Sequence, residues 1–219
     1  MEAGMFKFDP RLYLVTQRYD YSREEFLARV AAAICGGVTA VQLREKEAGG
    51  REFYELALAL AKLCREQKVS FWINDRVDIA LAAQADGVHV GQEDLPATVL
   101  RRIIPKQMLL GVSASTVDEA KAAEQAGADC VGCGAVFATD TKSVKLLSSQ
   151  GLQAIRAAVQ IPMLAIGGIK VANAARPIAD GADGVAVVSA IMLASDTYAA
   201  AKSLRQVVDA ALSERRSTK

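Results

Sequence analysis

The chain has 219 residues, 52% of them apolar, and its 26 basic and 25 acidic residues leave a net charge of +1. This length fits one domain with a substantial core, and the interspersed charges exclude the broad basic field that nucleic-acid binding requires. No apolar stretch reaches the roughly 18 residues of a membrane span, and the first residues lack a secretory signal pattern. We therefore expect a soluble, cytoplasmic protein that binds neither nucleic acid nor membrane.

Apolar, β-branched runs alternate with alanine-rich stretches of helical spacing along the chain. In chain order, the runs that predict strands are 12–15, 39–43, 70–73, 87–90, 108–112, 130–133, 163–166 and 184–188. The stretches that most clearly predict helices are 24–34, 51–67, 117–125 and 172–179. Gly127 and Gly181 fit left-handed caps at helix ends that directly precede strands.

Repeated β-then-α units produce a parallel sheet that helices cover on its outer side. Eight such units in about 210 residues match the lower end of the barrel range, whereas an open doubly wound sheet usually has fewer strands. The sequence therefore predicts an α/β fold, a single-domain (β/α)8 TIM barrel over residues 1–219. The composition of the two ends predicts short flexible termini at about 1–10 and 213–219.

Polar residues follow most of the predicted strands, and in a (β/α)8 barrel such positions converge on the mouth at the carboxyl ends of the strands. Taken alone, Ser113, Asp78 and Ser189 fit helix caps, while Asn74 and Asp94 fit turns. Capping leaves one polar cluster unexplained, which consists of Gln42, Arg44, Lys46, Lys142, Asp75 and Asp94. This cluster predicts a site for an anionic ligand.

Two aspartates of the cluster follow neighbouring strands and are close enough on a barrel rim to share a cation. Mg²⁺ suits Asp75 and Asp94 because it prefers oxygen ligands and commonly bridges one or two carboxylates to substrate phosphates. Arg44 offers a planar fork and Lys46 a compact ammonium, which with Lys142 and Mg²⁺ would neutralise a diphosphate. The plainer alternative for this run of charges is a solvated, salt-bridged loop.

A second anion pocket is predicted after the seventh and eighth strands. Gly167 and Gly168 follow the seventh strand, and Val188 and Ser189 occupy the matching place after the eighth. Barrels often bind a phosphate at this position through backbone N–H groups and a helix N-terminus. A diglycine also occurs where a tight turn must relieve crowding, and this alternative stays open.

The remaining reactive residues favour structural roles. His89, the single histidine of the sequence, lies inside a predicted strand and fits a satisfied structural group better than a general base. Trp72 fits core packing. Cys130 and Cys133 are three residues apart in a predicted strand and point to opposite faces, which favours buried thiols over a metal or redox pair.

Seven segments, taken in order, resemble those of thiamine-phosphate synthases over roughly residues 12–192. They are QLREK at 42–46, NDR at 74–76, HVGQEDL at 89–95, GVSA at 111–114, TDTK at 139–142, AIGGI at 165–169 and ADGVAVVSAI at 182–191. The resemblance implies an enzyme that joins a hydroxymethylpyrimidine diphosphate to a thiazole phosphate, or to its carboxylated form. It also implies Mg²⁺ as cofactor, with thiamine phosphate and diphosphate as products.

The resemblance further implies roles for individual residues. The residues that hold the pyrimidine diphosphate are Gln42, Arg44, Lys46, Asn74, Ser113 and Lys142. The magnesium ligands are Asp75 and Asp94. The contacts to the thiazole phosphate are Thr139, Thr141, Gly168, Val188 and Ser189. The wider substrate-binding set adds Leu43, Glu45 and Asp140, and the catalytic residues are Arg44, Lys46, Lys142 and Ser113.

We hypothesise a dissociative substitution, in which the C–O bond to diphosphate breaks early and the electron-rich aminopyrimidine stabilises the resulting methylene cation. The thiazole nitrogen then attacks that cation. Because charge collects on the departing diphosphate, fixed cations lower the barrier more than a strong base could. Severe loss of turnover is therefore expected for Arg44→Ala and for Lys142→Ala, with the fold intact.

The chain departs from the common family pattern in the loop after the sixth strand. Many relatives carry proline at the positions of Ala135 and Ala138, and losing both enlarges the conformational freedom of this loop. Slower or less complete closure is expected. Residues 143–150 also differ from the usual acidic continuation of the family.

Several rival functions stay open. A thiazole tautomerase on the same barrel would, by resemblance, carry histidine where Ala135 stands, and a phosphosugar isomerase or decarboxylase would need a general base. A non-catalytic regulator of the thiamine pathway would keep a phosphate pocket without the pair Asp75 and Asp94. The sequence does not decide between a monomer and a homo-oligomer, nor which thiazole form is preferred.

Overall fold

Eight parallel strands form a closed barrel in the computed structural model, which describes residues 8–138 and 146–217. They are β1 (Leu12–Val15), β2 (Ala40–Leu43), β3 (Ser70–Asn74), β4 (Gly87–Val90), β5 (Leu109–Ala114), β6 (Cys130–Gly134), β7 (Met163–Ile166) and β8 (Gly184–Val187). The strands pair in chain order, and β8 closes on β1. The predicted (β/α)8 TIM barrel is confirmed, with strand bounds within two residues of those predicted.

Helices follow the strands and cover the barrel. They are α1 (Arg23–Cys35), α2 (Gly50–Glu66), α3 (Val77–Ala82), α4 (Ala97–Ile103), α5 (Val117–Gln125), α6 (Ser149–Ala158), α7 (Ala175–Ala179), α8 (Ser189–Met192) and α9 (Thr197–Ser217). Hydroxyl side chains cap α1, α5 and α6, where Ser22, Thr116 and Ser148 each accept a hydrogen bond from a backbone N–H of the first turn. Gly127 and Gly181 have φ of 84° and 111°, as left-handed caps require.

Side chains alternate along the strands between an outer layer and an inner layer of the barrel. The outer layer packs the strands against the helices, and the inner layer fills the barrel. Cys130 lies in the inner layer and Cys133 in the outer layer, so their thiols point to opposite faces as predicted. Burial raises the pKa of both thiols, that of Cys133 to about 12, so both are uncharged near neutral pH.

Aromatic side chains close the amino-terminal end of the barrel. The ring centroid of Trp72 lies 5.1 Å from that of Phe8 and 5.8 Å from that of Tyr13, and Trp72 has no exposed surface. A Cβ on Gly87 would lie 2.4 Å from the indole, so only glycine leaves room for this ring. The packing role predicted for Trp72 is confirmed, and open space in the barrel is left to the carboxyl ends of the strands.

The carboxyl-terminal segment is helical to Ser217, and the flexible end expected from about residue 213 stays a prediction. Helix α9 continues to Ser217 because Arg215 ties its last turn to the barrel. The Arg215 guanidinium donates to the carbonyl of Ala182 at 2.7 Å and to Asp183 Oδ1 at 3.1 Å. Near the other end, Phe8 packs on Trp72, and the flexibility expected at about 1–10 stays a prediction. Among the described residues, no helix is both long and apolar enough to span a membrane.

Candidate functional site

A cavity of about 450 Å³ opens at the carboxyl ends of the strands, and we call it the mouth cavity. Nine of the residues that were predicted to bind substrate or metal line it, namely Arg44, Lys46, Asn74, Asp75, Asp94, Ser113, Gly168, Val188 and Ser189. They come from the carboxyl ends of six of the eight strands or from the loops that follow them, which the closed barrel brings to one rim. Residues that were assigned no individual role from the sequence also line it, including Gln92, Glu93, Ser115 and Lys170.

Some predicted site residues lie elsewhere. Thr139, Asp140, Thr141 and Lys142 fall outside the described residues. The side chain of Leu43 is fully buried in the outer apolar layer and does not face the mouth cavity. Neighbouring residues of β2 point to opposite faces of the sheet. The prediction nevertheless placed every residue from 42 to 46 in the substrate-binding set.

Gln42 lies inside the barrel, where its side chain is 3% exposed. Its Nε2 donates to the hydroxyl of Tyr13 at 2.9 Å, a contact that the sequence pattern did not reveal. Gln42 pairs in register with Val15, which lines the mouth cavity. The Tyr13 hydroxyl therefore anchors the Gln42 amide next to the cavity wall.

The charged residues 44–46, in the loop after β2, lie in different environments, two in the mouth cavity and one outside it. Arg44 and Lys46 line the mouth cavity and form no ion pair within the described residues, so the salt-bridged loop considered from the sequence is not observed there. Glu45 does not line the cavity, and its Oε1 is buried with no hydrogen-bond partner among the described residues. Burial raises the pKa of the Glu45 carboxyl, and the nearby Arg18 guanidinium partly offsets this rise.

Asp75 and Asp94 face each other at the rim of the mouth cavity. Burial and then the adjacent Asp94 carboxylate raise the pKa of Asp75, while the Lys46 charge and a hydrogen bond from Asn74 oppose the rise. Asp94 Oδ2 accepts a hydrogen bond from the Gly91 N–H at 2.7 Å, which fixes this carboxylate and also gives it the turn-shaping role considered from the sequence. Two facing carboxylates repel each other unless a proton or a cation lies between them.

The backbone of Asp75 adopts φ 61°, in the left-handed region that non-glycine residues rarely occupy. The Asp75 N–H donates to the carbonyl of His89 at 2.8 Å, and the Asp75 carbonyl accepts a hydrogen bond from Val77 N at 3.0 Å. These bonds hold the turn that carries the carboxylate to the rim. Unusual backbone conformations of this kind cluster at functional sites.

Ser113 and His89 form the polar wall between β4 and β5. His89 Nε2 lies 3.0 Å from Ser113 Oγ, and Gln92 Nε2 donates to the Ser113 carbonyl at 2.5 Å. The imidazole lies across two strand glycines, since a Cβ on Gly111 would be 2.4 Å from Nδ1 and one on Gly132 would be 3.1 Å from Cε1. Ser113 therefore lies within β5 and contacts His89 instead of capping a helix.

Burial lowers the pKa of His89 to about 4, so this imidazole is neutral near pH 7. The unfolded chain takes up the proton near pH 6.5, and the folded chain resists it until about pH 4. The free energy of unfolding should therefore fall as the pH drops through this window, by about 1–2 kcal/mol from this group, because cavity water reduces the full effect. Urea titrations between pH 7.5 and 4.5 measure the slope, and His89→Gln should flatten it. Equal slopes in both proteins would contradict this assignment.

The loop after β7 packs closely on the loop after β6. Gly167 and Gly168 have φ of 102° and 62°, and a Cβ on Gly168 would lie 2.3 Å from the carbonyl oxygen of Ala138. Phe137 N donates to the Gly167 carbonyl at 3.1 Å. Relief of crowding, the alternative left open from the sequence, therefore requires both glycines, and they line the mouth cavity as well.

Helix α8, whose N-terminus was predicted to help bind a phosphate, is shorter than expected. Helix α8 begins at Ser189 but spans only four residues, and the residue before it, Val188, makes no side-chain capping bond. So few aligned peptide units carry little of the helix dipole that the sequence suggested. An anion at this side of the cavity would depend on individual N–H groups and on nearby side-chain charge.

The described part of the β6 loop is held by backbone bonds. Val136 N donates to the Ile166 carbonyl at 2.9 Å, and Leu147 N donates to the Ala135 carbonyl at 2.8 Å. Ala135 lines the mouth cavity, and Ser148 caps α6. The looser closure expected from the absence of proline at Ala135 and Ala138 stays a prediction, because residues 139–145 lie outside the described part of the chain.

Comparisons with known proteins agree with this architecture. A family model described as thiamine monophosphate synthase matches residues 12–191. The thiamine-phosphate synthase of Moorella thermoacetica is 53% identical over 184 residues, covering 83% of this chain and 88% of the relative. That of Enterococcus faecalis is 46% identical over 206 residues, covering 94% and 98% of the two chains.

Solved structures extend the comparison. Thiamine phosphate pyrophosphorylase from Pyrococcus furiosus superposes with a TM-score of 0.86 at 40% identity, covering 94% of this chain and 98% of that one. A 3-hexulose-6-phosphate synthase superposes with a TM-score of 0.67 at 19% identity, which shows a shared fold alone. The resemblance drawn from the seven sequence segments is confirmed, and the chain belongs to the thiamine monophosphate synthase family.

Proposed function

We propose that this chain is a magnesium-dependent thiamine-phosphate synthase, a transferase that moves an aminopyrimidinylmethyl group from diphosphate to a thiazole phosphate. The observation that supports it best is the facing pair Asp75 and Asp94 beside Arg44 and Lys46 in one cavity. This arrangement is suited to an ion-bridged diphosphate. The thiazole substrate of the proposed reaction is the thiazole phosphate or its carboxylated form.

The acid pair fits Mg²⁺ on its own chemistry. Among the described residues no group of three or more His, Cys, Asp or Glu could hold a metal, so these two carboxylates would have to share the ion with other oxygens. Mg²⁺ is commonly bound in this way, by one or two carboxylates, several waters and substrate phosphates. When bound, the ion supplies positive charge that neutralises the diphosphate oxygens.

The residues of the β2 loop would grip the leaving group. In the proposed reaction the bond between the methylene carbon and the diphosphate oxygen breaks, and its electron pair goes to the diphosphate. Arg44 and Lys46 line the cavity with fixed positive charge where that negative charge collects. The thiazole nitrogen then donates its electron pair to the methylene carbon, which forms the new C–N bond.

Ser113 would add a hydrogen bond to the diphosphate. Its hydroxyl can donate to a phosphate oxygen only if it accepts from His89, so Nε2 would carry the proton of the neutral imidazole. The low pKa of His89 keeps this arrangement unchanged across physiological pH. A general base has no part in the proposed reaction, which distinguishes it from phosphosugar isomerase chemistry.

The decisive assay mixes the pyrimidine diphosphate and the thiazole phosphate with the purified protein, with and without Mg²⁺, and measures diphosphate release. Release that requires both heterocycles and Mg²⁺ supports the synthase. Conversion of one heterocycle alone would support a relative such as the thiazole tautomerase instead. Binding of both without release would favour a non-catalytic regulator, although the relatives at 46–53% identity are synthases.

A further inference from the structure

Lys170 brings a third positive charge to the mouth cavity. Among the described residues that line it, the cations are Arg44, Lys46 and Lys170. Arg44 and Lys46 follow β2, whereas Lys170 follows β7, and the strands β1 and β8 lie between them in the closed barrel. Lys170 therefore lies on the side of the mouth cavity opposite Asp75 and Asp94. It is near Gly168 and away from the cations of the β2 loop that are proposed to hold the diphosphate.

Two hydrogen bonds of the Asn173 side chain fix the backbone around Lys170. Lys170 N donates to Asn173 Oδ1 at 2.7 Å, and Asn173 Nδ2 donates to the Gly168 carbonyl at 3.0 Å. The Lys170 carbonyl accepts from Ala174 N at 3.0 Å. Asn173 thus occupies the Gly168 carbonyl oxygen, which would otherwise repel an anion, while the Lys170 ammonium stays exposed and forms no ion pair within the described residues.

A phosphate on this side of the cavity needs more charge than the backbone supplies. A phosphate monoester carries about −1.5 to −2 charges at pH 7, by analogy with phosphoserine. Helix α8 has only four residues, so its dipole offers little compensation. A lysine ammonium is a compact charge on a flexible stem and suits a phosphate that is reached from one side.

We propose that Lys170 binds the phosphate of the thiazole substrate and thereby makes the enzyme prefer phosphorylated thiazole to the thiazole alcohol. This inference rests on the proposed function, because it assigns a selectivity to the same site. Lys170 acts away from the carbon–oxygen bond that breaks, so its contribution is equal in the ground state and the transition state. Such uniform binding changes KM and leaves kcat nearly unchanged.

The test compares Lys170→Ala and Lys170→Arg with the unchanged protein in steady-state assays of diphosphate release. For Lys170→Ala we expect the KM for thiazole phosphate to rise about 5- to 20-fold, the lower range for a charge-assisted hydrogen bond at an exposed site. The kcat and the KM for the pyrimidine diphosphate should change less than about twofold. Lys170→Arg should recover most of the KM, and with the thiazole alcohol the alanine variant should match the unchanged protein.

Two further measurements decide between the outcomes. Lys121→Ala removes an exposed lysine of α5 outside the cavity and should leave every constant unchanged. Calorimetric titration of thiazole phosphate, with and without diphosphate, reports affinity independently of turnover. A Lys170→Ala affinity within twofold of the unchanged protein overturns the proposal, as does a loss confined to the carboxylated thiazole. Weakened phosphate binding in a protein that never releases diphosphate would refute the proposed synthase and keep the Lys170 assignment.

Discussion

Replacing Arg44 by alanine is expected to lower kcat for diphosphate release by about 100- to 1000-fold while the barrel remains folded. One preorganised donor to a developing charge is worth roughly 3–4 kcal/mol of transition-state stabilisation. Arg44 lines the mouth cavity, and its backbone N–H donates to Thr16 Oγ1 at 3.3 Å, which anchors the loop after β2. Its guanidinium has no ion pair within the described residues to lose, so the change should cost little stability.

Two variants separate charge from geometry in this experiment. Arg44→Lys keeps the charge but loses the planar fork, so it should recover only part of the rate. Arg23→Ala removes an exposed arginine of α1 that contacts Glu55, and it should leave kcat unchanged. Thermal unfolding followed by circular dichroism checks the fold of each protein. A kcat for Arg44→Ala within threefold of the unchanged protein would remove Arg44 from the proposed mechanism.

The barrel could be predicted from the sequence because both faces of its strands are buried. Strands of this kind appear as short continuous apolar runs, and β1, β4 and β7 have the predicted bounds without change. The extent of α9 was not predicted, since the charged and small residues at 213–219 favoured a flexible end, which stays a prediction. Composition could not show that Arg215 reaches the carbonyl of Ala182 and Asp183 across more than thirty residues of sequence.

The candidate site was predictable at the level of loops and less so at the level of side chains. Fold topology alone brings Arg44, Asp75 and Asp94 to one rim, so their order along the chain was sufficient. The outward direction of Leu43 could have been inferred from strand alternation. The bond between Gln42 and Tyr13 depends on two side chains from adjacent strands, and a single sequence carries no signal for it.

Lys170 illustrates a different limit. It follows shortly after the diglycine Gly167 and Gly168, for which a phosphate pocket was predicted, and Lys170 itself was assigned no role from the sequence. Its relevance emerges only because α8 is shorter than the sequence suggested and because Asn173 fixes the loop. Local sequence patterns predicted an anion site after β7 and β8, which stays a prediction, whereas the counter-charge proposed for Lys170 could be inferred only from tertiary structure.

Neutralising one of the two facing aspartates is expected to stabilise the metal-free protein and to abolish the rise in Tm that Mg²⁺ causes. Burial and the Asp94 carboxylate raise the pKa of Asp75, so the folded chain binds this proton more tightly than the unfolded chain, and the associated stability is lost as the pH rises above the ordinary range of a carboxyl group. Asp75→Asn removes this repulsion and tolerates the left-handed backbone at φ 61°. We expect a gain of about 1 kcal/mol, or a rise of about 2–4 °C in Tm.

Adding Mg²⁺ should reverse which of the two proteins, the unchanged protein or Asp75→Asn, has the higher Tm. The Tm of the unchanged protein should rise with Mg²⁺ concentration, because the ion binds the folded pair, while that of Asp75→Asn should not. Diphosphate release by the variant should fall about 100-fold or more, since the ion is proposed to stabilise several kcal/mol of transition-state charge. Asp78→Asn, an exposed neighbour paired with Arg76, serves as the control and should keep the Mg²⁺ response. If Asp75→Asn melts at a lower temperature without metal, or still gains stability from Mg²⁺, the two carboxylates do not form a cation site.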